Sequence, residues 1–347
     1  MTGLRDQLAA SPPPVVELSV VIAAYQAERT LAEQLDSLAA QQVGFRWEVI
    51  VADNGSTDGT AALARSYADR LPGLRVVDAS VRHGAGAARN VGVAAARGRS
   101  IAFCDADDVV GDGWLAAMHA GLREHAFVAG AFAGDRLNST AALRSRVLPQ
   151  RHGLQESGYL PGVRHAGAGN LGVHAAVFRS VGGFDPGALY LEDTDLCWRV
   201  QLAGVPLVWL PDAVVHVRLR GGLRASARQG YSYGTGERWL ALRYREVQSR
   251  LIALGAAGAR VGVLGTGPAD RLGGPWPVAP AALGPISVRR VVRRVATSAV
   301  ELARVSSRGQ LAAWCWDVAW GVGFAFGRVD LPAPVTVPPL DRPRLAA

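Results

Sequence analysis

Three carboxylates crowd into four residues at Asp105-Ala-Asp107-Asp108. On one tight turn they can reach a single hard divalent cation, and Mg2+ or Mn2+ carrying a diphosphate prefers one or two protein carboxylates plus phosphate oxygens. A calcium EF-hand is excluded: Val110 stands where its loop glycine belongs and Ala116 where its bidentate glutamate belongs. The competing account is an acidic turn capping a helix that begins near Trp114. Glu192-Asp193-Thr194-Asp195 forms a second acidic group. Carboxylates in a first helical turn complement the helix dipole without any catalytic purpose. A carboxylate fixed there also stays ionised, as a general base acting on a hydroxyl must.

Gly84-Ala-Gly86-Ala-Ala-Arg89 approaches a dinucleotide fingerprint, but Arg89 replaces the third glycine and the run falls in the third strand-helix unit. A nicotinamide oxidoreductase is therefore not expected. The small residues still allow backbone to approach a ligand, and Arg89 can meet a phosphate bidentately; a surface arginine on a glycine-eased turn is the alternative. His216 shares one face of a strand with Val214 and Arg218, either as a structural imidazole or as a metal ligand.

The elements that must carry these residues alternate. LSVVIAA (Leu18–Ala24) reads as a buried strand, and Thr30-Leu-Ala-Glu33 has the form of a capping box for a helix reaching about Gln42. Strands follow at Trp47–Ala52, Leu74–Asp78 and Ser100–Cys104, with helices ending near Arg70 and Arg97. That order predicts right-handed βαβ units in an open parallel sheet, whose ligands sit beyond the carboxyl ends of the strands. Tyr25, Asp53, Gly84–Gly86 and Asp105–Asp108 all fall at those ends. Further on, Gly167-Ala-Gly-Asn170 leads into a short strand, LEDTD opens a helix, and Pro206–Leu210 and Ala213–Leu219 are read as two strands.

The 347 residues carry a net charge of +8, with all 37 basic side chains being arginine. With 49% apolar and 19% charged residues, global disorder and a collagen-like fibre are excluded. Residues 1–220 hold 20 Arg against 22 carboxylates, net −2, and residues 221–347 hold 17 against 7, net +10. Cys104, Cys197 and Cys315 are too scattered for a disulfide framework or zinc site, so a reducing compartment is expected. Three prolines and Asp6 interrupt the N-terminal stretch where a signal peptide needs an apolar run. Leu311 to Gly327 is broken by Asp317 and falls short of the ~20 residues of a spanning helix.

Taken in order, strand-AAYQAE, strand-DNGSTDGT, GAGAARNVG, strand-DADD, GAGN, GGFD, LEDTDLCWRVQLAG and a later histidine resemble family 2 glycosyltransferases of the GT-A fold, over about Val16 to Arg220. The resemblance implies an α/β fold with a mostly parallel, Rossmann-like sheet flanked by helices. It also implies an inverting transfer of one sugar from a UDP-, GDP- or dTDP-linked donor to a hydroxyl on a glycan, lipid-linked sugar or small metabolite. Tyr25 would stack on the base, Glu28 would hold the nucleoside, and Asp53 would contact the base. Gly84 and Arg89 would border the nucleotide. Asp105 and Asp107, a DxD motif, would ligate Mn2+ or Mg2+, with Asp105 also placed to touch the ribose and His216 as a further ligand. Asp193 would be the base, with Glu192 beside it and Asn170 near the donor sugar or acceptor. Ala23-Ala24-Tyr25-Gln26 departs from the family, which often has Pro and Asn there. The Gln-x-x-Arg-Trp motif of processive synthases is absent.

This divides the chain into an N-terminal tail (1–14), a catalytic domain (15–220), a basic helical region (221–330) and a proline-rich tail (331–347), with an irregular connection at 265–285. Segment 286–305 forms a two-sided helix with Val288, Val291, Val292, Val295, Ala299 and Leu302 opposite Arg289, Arg290, Arg293, Arg294 and Arg304. Such a helix either lies on an anionic bilayer, each arginine adding about 1 kcal/mol, or covers the catalytic domain. Trp316, Trp320 and Phe324 recur at helical spacing and suit an interface. No nucleic-acid motif is present, and a cytoplasmic protein, peripheral on the membrane's inner face, is expected. Two rivals are a sugar-nucleotide pyrophosphorylase, which needs glycines that Ala23–Glu28 lacks, and a non-catalytic membrane adaptor with a glycosyltransferase-like domain.

Overall fold

Leu18-Ser-Val-Val-Ile-Ala-Ala24 is apolar enough to be covered on both faces, and as strand β1 (Leu18–Ala24) it is buried at every position except Ala23. A computed structural model describes residues 16–143, 148–157, 159–160, 162–219, 222–256, 302, 305–330 and 332–335. Around β1 lie β2 (Trp47–Asp53), β3 (Arg75–Asp78) and β4 (Ser100–Asp105), all parallel. The sheet continues with β5 (Val109–Val110), β6 (Phe127–Ala133), β9 (Asn170–His174) and β10 (Val208–His216) in the order β3-β2-β1-β4-β9-β6-β10-β5. β7 (Gln155–Glu156) and β8 (Arg164–His165) form a separate antiparallel ladder.

Helices cover both faces. Leu18, Val20 and Ile22 cluster with residues of α1 (Leu31–Ala39), α2 (Thr60–Arg65) and α4 (Trp114–Glu124). Val21, Ile101 and Phe103 point the other way, into α3 (Ala85–Ala95), α6 (Ala175–Ser180) and α7 (Glu192–Leu202). A short α5 (Thr140–Leu143) follows β6. Strand order reverses beside β1: β2 lies on one side of it and β4 on the other. Such a switch point opens a crevice at the carboxyl ends. Register puts Ala24 opposite Asp53, Asp53 opposite Asp78, and Ala23 opposite Asp105, so the acidic strand ends share one edge of the sheet.

Local expectations shift in two places. Thr30 makes no side-chain cap; Glu33 instead pairs with Arg218 at 2.9 Å. The segments around Pro206–Leu210 and Ala213–Leu219 fuse into β10, whose register slips between Leu210 and Val214 around Pro211, a residue without an N–H for the ladder. β9 runs antiparallel to both β4 and β6 and β5 antiparallel to β10, while the other six strands share one direction, so the sheet is mostly parallel as expected with two reversed strands.

A third apolar cluster crosses residue 220. Tyr159, Leu160 and Trp198 pack with Trp239, Leu240, Tyr244 and Val247 of α8 (Leu223–Arg243), its C-cap and α9 (Arg245–Ala256). α10 (Arg308–Phe326) lies along α8, with Gly230 and Gly234 against the backbone of Trp316 and Trp320. It contains most of Leu311–Gly327, and among the described residues no helix is long and apolar enough to cross a membrane. The N-terminal tail 1–14, the 265–285 connection and all but Leu302 and Val305 of the basic 286–305 segment lie outside the described residues, as does most of 331–347.

Half-buried Glu237 of α8 has no hydrogen bond or ion pair among the described residues, and burial pushes its carboxyl up to about 7. A folded-state pKa above the unfolded value means the fold binds the proton more tightly, so the group destabilises increasingly as pH rises from its ordinary range through 7. Glu237→Gln is accordingly expected to raise Tm at pH 8 and to lose that advantage towards pH 4, measured by scanning fluorimetry.

Candidate active site

The acidic turn after β4 is held from behind by α1. Buried Gln34 donates from Nε2 to the Asp105 carbonyl (3.1 Å) and accepts the Val110 N–H (3.0 Å). Gln41 donates to the Gly111 carbonyl (3.0 Å) and accepts from Leu115 N–H (3.1 Å). Asp105, Asp107 and Asp108 thereby bring ligand oxygens within 4.8 Å of one another, and among the described residues they are the group so placed to hold a cation. Burial and the charges of Asp105 and Asp107 push Asp108 up to about 8, although it accepts the Arg218 N–H at 2.8 Å. A Cβ on Gly169 would stand 2.8 Å from Asp105 Oδ2 and 3.5 Å from Asp108 Oδ2, so only glycine leaves room there. Three crowded carboxylates, of which Asp108 is held back from ionising, beside small-residue backbone fit a divalent cation, which would relieve their repulsion.

Asp193 faces the same loop. Its Oδ2 accepts the Ala168 N–H (3.1 Å) and its Oδ1 the Thr194 N–H (2.8 Å). Residues 167–169 thus touch both the acidic turn and Asp193. Burial raises the Asp193 carboxyl; burial and the Asp193 charge push Glu192 up to about 7. The two carboxyls titrate as a pair.

Arg89 completes the ring. Its guanidinium bonds Asp105 Oδ1 at 2.7 Å and Glu192 Oε1 at 2.8 Å with its side chain 5% exposed. Burial alone would lower its pKa, but the two carboxylates hold it charged. The resemblance set Arg89 at the nucleotide's border; in the structure it joins the two acidic groups. The glycine run has a packing purpose too: Gly86 lets α3 approach Glu192 and Phe184, where a Cβ would stand 3.1 Å from each side chain. Gly84 takes φ +128° and donates its N–H to Asn54 Oδ1 at 2.8 Å.

The remaining candidates divide. Tyr25 is 58% exposed beyond β1, its ring edge-on to His83 with centroids 6.3 Å apart. Asp53 accepts the Ser56 N–H (3.3 Å) and Glu28 the Gly59 N–H (3.1 Å), so both brace the loop after β2. Gln26, at φ +51°, stitches the same loop through Thr57 and Asp58. Asn170 does not face the crevice. It is fully buried, donating to the carbonyls of Ala131 (2.9 Å) and Ala213 (2.8 Å) and accepting from Trp114 Nε1 (2.8 Å). His216 is not brought into the carboxylate cluster; its nearest acid is Asp135 at 3.8 Å, and burial lowers its pKa. Asn54, His83 and Arg218 were not singled out from the sequence, though each adjoins or shares a face with a residue that was.

The sequence profile of Glycosyl transferase family 2 matches residues 19–181, which contain β1 through α6 and the whole acidic turn. Over that segment the chain matches glycosyltransferase family 2. Among curated relatives of the family 2 domain, the succinoglycan biosynthesis protein ExoO of Rhizobium meliloti (strain 1021) is 39% identical over 102 residues, 28% of each chain. The validoxylamine A glucosyltransferase of Streptomyces hygroscopicus subsp. jinggangensis (strain 5008) is 30% identical over 221 residues, 55% of this chain and 52% of the relative. The chain spans less than a third of the length of the first curated relatives it matches. The mannosyltransferase PcManGT from Pyrobaculum calidifontis, solved with GDP-Man and Mn2+, superposes with a TM-score of 0.52 at 17% identity over 92% of each chain. That likeness bears on the fold, and the expected GT-A architecture holds.

Proposed function

We propose that this protein is an inverting glycosyltransferase that moves a single sugar from a nucleotide-diphosphate donor to an acceptor hydroxyl with the help of Mn2+ or Mg2+. The observation that carries the reading is that the Asp105–Asp108 turn and Asp193 both contact the Gly167–Gly169 loop. Asp107 and Asp105 would hold the cation, and Asp108 is close enough to join them. A cation there would neutralise the charge that builds on the departing diphosphate. Asp193 takes the proton from the acceptor hydroxyl as its oxygen attacks the anomeric carbon opposite the leaving group, and inversion follows from that geometry. Exposed Tyr25 offers its ring to the base, with Asp53 and Glu28 holding the loop beside it. Arg89 keeps Asp105 and Glu192 in register.

The acceptor is a glycan, a lipid-linked sugar or a small metabolite. The net charge of +10 in residues 221–347 and the exposed Val322 and Phe326 of α10 support work at the cytoplasmic face of an anionic membrane. Thermal-shift screening of UDP-, GDP- and dTDP-sugars with and without Mn2+ tests the central claim. One donor is expected to raise Tm only with the metal present; no response to any of them would overturn the reading.

A further inference from the structure

We infer that Arg243 and Tyr244, which lie beyond the segment matched by the family, are positioning residues for the transfer step and act through the helix that carries Asp193. This rests on the reading of Asp193 as the base. Helix α7 has an unusual start. Its N-cap is Leu191 at φ +58°, whose side chain makes no cap hydrogen bond, and the first turn holds three carboxylates. What fixes this turn comes largely from α8. Gly236 seats α8 on the N-cap, where a Cβ would stand 2.9 Å from the Tyr190 carbonyl oxygen and 3.0 Å from Leu191 Cγ.

One helical position past Thr194, Asp195 is wholly buried and fully engaged. Its Oδ2 takes Arg199 at 2.7 Å, a partner on α7 itself. Its Oδ1 takes the Tyr244 hydroxyl at 2.8 Å and lies 2.9 Å from Arg243 Nε, both from the end of α8. Arg243 also bonds Asp185 Oδ2 at 2.6 Å. The Asp185 loop is tied in turn to α3 by Asn90, which donates to the Phe184 carbonyl (2.8 Å) and accepts its N–H (3.0 Å). The Tyr244 ring stands edge-on to Trp198 of α7, 5.0 Å between centroids. A buried carboxylate with two partners from another helix fixes direction as well as distance. Removing one partner leaves Oδ1 of a fully buried carboxylate under-satisfied although Arg199 still pairs with Oδ2, so the helix end is expected to move or rehydrate. Asp193 is two residues from Asp195 on the same turn, and displacement of about 1 Å at a reacting group costs on the order of 10²-fold in rate.

The test uses the full chain with Tyr244→Phe, Arg243→Gln and Arg243→Lys, below their unfolding temperatures. Turnover is read as Mn2+-dependent release of nucleoside diphosphate from UDP-glucose, GDP-mannose and dTDP-glucose, with water as acceptor. Tyr244→Phe and Arg243→Gln are expected to lower kcat about 10- to 100-fold. Donor KM and the Mn2+-dependent thermal shift should stay unchanged, and Arg243→Lys should recover part of the rate. In an Asp193→Asn background the same changes should cost less than about 2-fold, because coupled groups are not additive. Tyr244→Phe keeps the test open if Arg243→Gln does not fold. A lowered Tm with kcat within about 2-fold of wild type would reduce the pair to scaffolding and overturn the inference, as would full multiplicative losses on top of Asp193→Asn. Wild-type turnover by Asp193→Asn would instead sink the underlying reading.

Discussion

Asp193→Asn is expected to lower kcat by ~10²–10⁴-fold, the usual contribution of a positioned general base, while nucleotide binding persists. The amide is isosteric and can still accept from one of the two N–H groups that now bond the carboxylate, Ala168 or Thr194. Its NH2 then opposes the other, which costs about 1–3 kcal/mol of stability, less than a typical domain holds. The pH profile supplies a second check. A base must be ionised, and burial raises the Asp193 carboxyl while Glu192 beside it sits at about 7. Activity is therefore lost as pH falls, and the acid limb of kcat lies above the range of an ordinary carboxylate. It belongs to the pair, so Glu192→Gln should move the limb downward by removing a neighbouring negative charge.

The second large effect is expected at Asp107. Asp107→Asn removes one anionic ligand from the group that closes to within 4.8 Å, and the Mn2+-dependent part of donor affinity should fall with it. Metal stabilisation of a developing diphosphate is worth several kcal/mol, so kcat/KM is expected to drop by about 10²-fold or more. Calorimetric titration of Mn2+ in the presence of UDP or GDP, beside the Tm of the metal-free variant, distinguishes this from a folding defect; Gln34 and Gln41 hold the turn in both proteins. Saturating Mn2+ should restore part of the rate if the substitution acts through metal affinity.

Much of the sheet's first half was legible because its signals are local. A short, β-branched, mostly apolar run such as Leu18–Ala24 reads as a strand covered on both faces, and the acidic turn follows β4 where the chain leaves the sheet. What failed to show were partnerships. Asn170 follows two glycines and precedes a strand, a place that suits a ligand contact, yet β9 runs antiparallel between β4 and β6 and turns its side chain into the core. Arg89 has the type and spacing of a phosphate binder, but two carboxylates from distant elements reach it first. The change in charge falls at residue 220, while the Trp198–Trp239–Tyr244 cluster joins residues from both sides of it.

By itself the sequence determined the chemistry available: an acidic turn at a strand end, a second acidic group opening a helix, an aromatic at the end of the first strand, and basic charge gathered late in the chain. These follow from residue type and spacing, which act over a few residues. Only the tertiary structure decided that the two acidic groups meet at Gly167–Gly169, that Arg89 joins them, and that α8 supplies partners for Asp195. Such pairings depend on which buried charges have no other way to be neutralised once the helices pack, and that is settled by the fold as a whole.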